Sequence, residues 1–201
     1  MNSNNILDSV YNTSISDNGI FGKSVMELAD EYVTRYGRTD AAIDRMVSNQ
    51  RLKCTTTGFV TGLGGFMTLP VTLPADLATS LYIEIRMIAA VAAIRGYDIN
   101  SDEVKTLVYL CLVGNAAGDI LKQAGIKCMT NWAAKKLIPL ISEKIAQQVA
   151  KNVGSKLLVK TAAKGLPKLV KLVPFVGGIV GGAYNYGEVS LFAKMAKERF
   201  N

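Results

Sequence analysis

Apolar and polar positions along this chain recur with the period of helices, and no useful stretch shows the strict alternation of a half-buried strand. Ser24-Val25-Met26-Glu27 has the form of a capping box. Apolar Val25, Leu28, Ala29, Tyr32 and Tyr36 follow it, and Gly37 closes the run, so a helix is predicted between those signals. A second helix is predicted from an N-cap at Thr39 or Asp40 to near Cys54, turning Ala42, Ile43, Met46 and Val47 inward and Asp44, Arg45 and Arg51 outward. From Pro74 to Arg95 nothing breaks the pattern until Gly96. That stretch is apolar on nearly every side, which predicts a buried central helix. Asn100-Ser101-Asp102-Glu103 opens another apolar helix, expected to reach about Gly125. Between Lys127 and Val153 the helical pattern is interrupted at Pro139, and basic helical pieces continue around Gly165-Leu166-Pro167. A polar amphipathic helix is expected to run to about Arg199. The expected fold class is all-α, a compact multi-helix bundle of about seven to nine helices.

Two uncharged, glycine-rich stretches interrupt this amphipathic picture. Residues 54–75 hold six Thr, four Gly and two Pro, a poor composition for a membrane span despite adequate length. Gly58 and Gly62 have the spacing that lets helix backbones approach closely, and Gly64-Gly65 add a flexible point. Gly177, Gly178, Gly181 and Gly182 form a glycine zipper inside an uncharged window, residues 172–187, that is shorter than a usual span. Close packing of central helices is the expected role of all eight glycines, with membrane insertion as the competing reading. Residues 1–21, rich in Asn, Ser and Asp, read as a flexible N-terminal tail with at most a short helical turn, and residues 22–201 as one helical domain.

Composition changes the picture in two respects. Apolar residues make up 49% of the chain and charged residues only 19%, below the roughly 25% of ordinary soluble domains. The net charge of +7 is also unevenly placed: residues 1–100 carry 8 Lys+Arg against 10 Asp+Glu, while residues 101–201 carry 15 against 6. The positive field of the second half favours anionic partners. Nine lysines, Lys135, Lys136, Lys144, Lys151, Lys156, Lys160, Lys164, Lys168 and Lys171, face a single acid, Glu143. Lys156, Lys160, Lys164 and Lys168 recur every fourth residue, which lines them along one helical face if Gly165 and Pro167 do not bend it. Such a face suits anionic lipid headgroups, though a merely solvated basic face has the same pattern. Phosphate attraction alone would also suit nucleic acid, but Lys135 to Lys171 includes no aromatic residue and no Arg, so sequence-specific nucleic-acid binding is not expected.

The chain contains no histidine, which removes Ser-His-Asp and Cys-His hydrolysis and His-liganded zinc. Cys54, Cys111 and Cys128 include no C-x-x-C pair, so neither a disulfide framework nor a thiolate metal site is expected. The opening Met-Asn-Ser-Asn-Asn lacks the basic and apolar regions of a signal peptide, and a cytoplasmic location is expected. Gly62-x-Gly64-Gly65 completes neither a dinucleotide fingerprint nor a P-loop. No cofactor is expected. Asp76, near the start of the central helix, suits the positive helix terminus. Glu84 and Arg86 on that helix, with Asn115, Asp119 and Lys122 on the next, are expected to form a paired buried network or to hold a polar headgroup in an apolar pocket. Were the chain an enzyme, only Asp76, Glu84 and Asp119 would be candidate carboxylates.

Thr61-Gly62-Leu63-Gly64-Gly65-Phe66 followed by Leu73-Pro74-Ala75-Asp76-Leu77 resembles the signature of the EcsC family. The same order continues through Arg86-Met87-Ile88, Gly96-Tyr97-Asp98, Leu121-Lys122 with Gly125, Lys168 to Pro174, and Gly177 to Gly182, covering about residues 55–185. The resemblance implies a bacterial cytoplasmic or membrane-peripheral protein, from a family some of whose members are associated with an ABC transporter and protein secretion and whose biochemical activity is poorly defined. A more distant likeness is to the eukaryotic senescence domain, a helical lipid-associated module. Asn185 departs from the family pattern, which usually carries an acidic residue there. The expected function is membrane-peripheral lipid binding or lipid transfer beside the inner membrane, with an anionic phospholipid surface as partner. The alternative is an interaction module that regulates a membrane transporter or secretion machinery, and carboxylate-dependent hydrolysis comes third.

Overall fold

The computed structural model describes residues 3–16, 22–55, 75–127, 132–163 and 191–201. Among them the elements are α1 (Ser3–Ile15), α2 (Val25–Tyr36), α3 (Asp40–Thr55), α4 (Ala75–Ile94), α5 (Asp102–Leu112), a 3-10 turn Gly114–Ala116, α6 (Ala117–Gln123), α7 (Ala134–Leu137), a 3-10 turn Ile138–Leu140, α8 (Glu143–Ala163) and α9 (191–199). No strand occurs among the described residues, and the class is all-α.

Helix boundaries fall where side chains can satisfy the orphan amides and carbonyls of helix ends. Ser24 Oγ accepts from the Glu27 amide at 3.1 Å while Glu27 Oε2 accepts from the Ser24 amide at 2.8 Å, completing the capping box of α2. Ser101 Oγ accepts from the Val104 amide at the start of α5. At the end of α4, Gly96 takes φ +87°, the Gly96 amide donates to Ala93 O and the Tyr97 amide to Ala92 O, a Schellman closure that any residue with a Cβ would strain.

Helix α4 is the centre of the bundle. Every residue from Leu81 to Ile94 is buried, and α4 packs against α1, α2, α3 and α5, while α8 lies across α1, α5 and α6. The predicted central helix is therefore present and enclosed.

Two expectations are corrected. Within residues 1–21, read as a tail, Ser3–Ile15 forms α1, whose Leu7, Val10 and Tyr11 are core residues. The Tyr11 hydroxyl donates to Ile99 O at 2.7 Å, and the Tyr109 hydroxyl donates to Asp8 Oδ1 at 2.7 Å. Polar Thr13 and Ser14 are tolerated because their hydroxyls donate back to the carbonyls of Ser9 and Val10. Second, the single helix expected to run to Gly125 is broken: Gly114 adopts φ +57°, and the chain passes through a 3-10 turn before α6.

Candidate functional site

The described part of the lysine-rich segment is built on a rigid base. Trp132 is buried, its carbonyl accepts from Arg199 Nη1 at 3.1 Å, and the Arg199 guanidinium lies 5.1 Å from the centroid of its ring. Ala134 and Leu137 point into the core while Lys135 and Lys136 stand exposed between them. Pro139 then stops regular α-helix, as its missing amide requires. Ile141 is buried again, and Ser142 restarts the helix: its Oγ accepts from the Ile145 amide and its carbonyl from the Ala146 amide. Along α8 the buried side is Val149, Ala150, Val153 and Gly154, and the exposed side carries Lys144, Gln148, Lys151 and Ser155 at three- and four-residue steps.

These cations are clustered in one segment and uncompensated. Among the described residues, none of Lys135, Lys136, Lys144 and Lys151 forms an ion pair. The one acid nearby in sequence, Glu143, accepts instead from Gln147 Nε2 at 3.1 Å. Some cations elsewhere are matched, Lys23 with Glu31 at 3.0 Å, Lys105 with Asp102 at 2.8 Å and Asp8 at 3.7 Å, Lys197 with Asp44 at 3.0 Å, and Arg95 with Asp40, whereas the scattered Arg35, Arg45, Lys122, Lys127 and Lys194 likewise form no ion pair among the described residues.

The polar groups expected to gather inside separate into two sets. Glu84 and Arg86 are buried. Arg86 donates from Nη1 to Ser14 O at 3.0 Å and from Nη2 to Lys23 O, so it ties the end of α1 and the entry to α2 onto α4. Burial pulls its pKa below the ordinary arginine value, while Tyr82 and Glu27 act in the opposite direction. Asn115, Asp119 and Lys122 are exposed, which corrects their assignment to a buried network. The break at Gly114 re-aims the chain, and α6 turns Ala117, Ile120 and Leu121 inward instead. Asp76 lies in the first turn of α4 with its side chain outside the described residues.

The chain matches the EcsC protein family over residues 14–201. It belongs to that family. Among curated proteins and solved structures no match was found. In this EcsC chain Lys156 and Lys160 lie on α8, with side chains outside the described residues, and Lys164, Lys168 and Lys171 fall outside altogether. Gly58, Gly62, Gly64, Gly65, Gly177, Gly178, Gly181 and Gly182 also lie outside the described residues. No described helix is long and apolar enough to cross a membrane.

An open cleft of about 550 Å³ lies between the end of α1 and the start of α2, with Asn12, Ser16, Ser24 and Glu27 among its lining groups. That mixed, open surface does not correspond to the apolar interior pocket expected for a lipid. Reading the sequence missed Leu140, which is 49% exposed and lies between Lys136 and Lys144 in the chain. Pro139 signalled the break but not which neighbouring side chain would face out.

Proposed function

We propose that this EcsC-family protein is a peripheral membrane protein that binds anionic phospholipid surfaces through the lysine face of α7 and α8. The observation that carries the reading is the set of four exposed lysines with no ion pair among the described residues. A lysine near an anionic leaflet contributes about 1 kcal/mol, so these four together supply about 4 kcal/mol of attraction before the lysines further along the segment are counted. Long, flexible ammonium side chains suit lipid phosphates that diffuse laterally, because such charges need proximity more than fixed geometry. The reading concerns surface binding; it assigns no lipid transfer and no catalysis.

The test is flotation of the purified full chain with phosphatidylglycerol-containing vesicles and with vesicles of phosphatidylcholine alone, at low and high salt. Binding to the first only, reversed by salt, is the expected result, because exposed charges are screened beyond about 8 Å at physiological ionic strength. Failure to float with anionic vesicles at low salt overturns the proposal and leaves an acidic protein partner as the better occupant.

A further inference from the structure

We infer that the 3-10 turn Ile138–Leu140 is an insertion point, at which Pro139 and Leu140 enter the headgroup–acyl boundary of an anionic bilayer while Lys135, Lys136 and Lys144 engage phosphates around them. The inference rests on the membrane-docking reading and adds to it a place, an orientation and an apolar contact. Residues 137–142, Leu-Ile-Pro-Leu-Ile-Ser, carry no charge and are bracketed by Lys135, Lys136 and Lys144, with Glu143 as the one acid between. Leu137 and Ile141 are fully or nearly buried, whereas Pro139 and Leu140 between them are exposed. The same short run therefore divides its apolar groups between the protein interior and the outside.

An isolated exposed leucine usually needs no explanation. The setting of Leu140 distinguishes it from the other large apolar residues that are exposed among the described ones. Met26 adjoins the acidic Glu27 in sequence. Tyr36 stacks on Tyr32 with ring centroids 6.3 Å apart, and Leu191 is the first described residue of α9, next to residues outside the description. Leu140 alone of the four lies within five residues of three exposed lysines, all without an ion pair among the described residues.

The turn is also held in place before any membrane is met. The Leu137 amide donates to Ala133 O at 3.1 Å and the Ile141 amide to Ile138 O at 3.1 Å. Trp132 anchors the approach under Arg199, and Ser142 caps the exit into α8. Insertion therefore orders little new backbone, and most of the gain from burying Leu140 appears as affinity. Interfacial apolar residues enter roughly 5–10 Å, a depth one leucine and one proline at a turn can reach while lysine side chains remain at phosphate level.

The test uses Leu140→Trp in the full chain, with tryptophan emission followed on phosphatidylglycerol-containing vesicles made with or without brominated acyl chains. Wild-type protein, whose single Trp132 is buried, supplies the baseline. A blue shift and quenching by brominated lipid that wild type lacks support insertion. In parallel, Leu140→Ser is expected to weaken vesicle binding about fivefold with thermal stability unchanged, because a half-exposed leucine contributes little to the core, while Met26→Ser leaves binding unaltered. If wild type floats but Leu140→Trp is neither shifted nor quenched and Leu140→Ser floats equally well, insertion is wrong and purely electrostatic docking stands. If wild type does not float, the docking reading fails and the insertion point fails with it.

Discussion

Arg86 on α4 and Lys144 on α8 carry the same formal charge in opposite settings. Arg86 is 3% exposed, and its planar fork donates to Ser14 O and Lys23 O, two backbone carbonyls from separate elements. Arg38 does related work at the end of α4, donating to Ala93 O and Ile94 O at 3.0 and 3.2 Å, and Arg199 binds Trp132 O. In each case a guanidinium with a fixed fork of donors ties backbone carbonyls of one element to another. Lys144 and its companions Lys135, Lys136 and Lys151 are exposed and form no ion pair among the described residues. The comparison teaches that positive charge has two separable uses here: Arg38, Arg86 and Arg199 hold elements together, and the described α7–α8 lysines form no ion pair that would stabilise the fold. Charge that does not stabilise the folded chain is available for something outside it.

The strongest test of that division is Lys135→Glu, Lys136→Glu, Lys144→Glu and Lys151→Glu combined. Neutralising four such groups removes about 4 kcal/mol of attraction to an anionic leaflet, a factor on the order of a thousand in partitioning, and reversing their sign removes more. Exposed substitutions away from caps and pairs change stability by about 0.5 kcal/mol each or less, so cooperative thermal unfolding should survive. Flotation is the measurement. Loss of folding in this variant, or undiminished flotation, breaks the comparison from the lysine side.

Arg86→Met probes the other side. It removes the donors to the buried carbonyl of Ser14 and the part-buried carbonyl of Lys23, and breaking a buried charged hydrogen-bond set costs about 3 kcal/mol. For a chain of this size 1 kcal/mol corresponds to roughly 2–4 °C, so Tm should fall by roughly 6–12 °C in a calorimetric scan. Vesicle affinity of the protein that remains folded should not change. An unaltered Tm would mean that Arg86 is not the staple its geometry indicates.

Those two predictions draw unequally on what the sequence discloses. Local signals were legible: Ser24 with Glu27, Gly37, Gly96, Ser101 and Gly125 mark helix ends where the structure has them, because capping depends on residues only a few positions apart. Helix α1 was not. Its Asn and Ser content suggested a tail, and only partners 88 and 101 residues away, Ile99 for Tyr11 and Tyr109 for Asp8, make it a core element. Arg86 was recognised as buried, but its carbonyl partners lie 72 and 63 residues away and leave no mark in sequence spacing. An unbroken helix would carry Asn115, Asp119 and Lys122 inside, but a positive φ at Gly114 rotates them outward. The excess of lysine over acid from Lys135 to Lys171 is legible in the sequence, whereas the exposure of Leu140 depends on which sides of a turn the core claims, a tertiary property.

The smallest effect expected is at Tyr109, and it sharpens the contrast because it concerns a titrating group whose charge the fold excludes. The Tyr109 ring packs edge-on against Tyr11 at 5.7 Å, and its hydroxyl donates to Asp8, which also lies near Lys105. Burial, and then the hydrogen bond to the Asp8 carboxylate, push the Tyr109 pKa well above the ordinary value of 10.0. Burial does the same for Tyr11, assisted by Asp98. A raised folded-state pKa favours the neutral phenol in the native protein. The stability associated with the shift is complete below pH 10 and declines above it, since there the unfolded chain releases protons that the folded chain retains. Tyr109→Phe should cost about 1.5 kcal/mol at neutral pH for the lost charge-assisted bond. It should also make the fall in stability between about pH 10 and 11 shallower than in wild type, as one of the three phenols with raised pKa, Tyr11, Tyr97 and Tyr109, no longer titrates. Urea unfolding at a series of pH values measures both quantities. A slope unchanged by Tyr109→Phe would show that its phenol ionises alike in the folded and unfolded chain, so that α1 is not held over Tyr109 as the hydrogen bond to Asp8 requires.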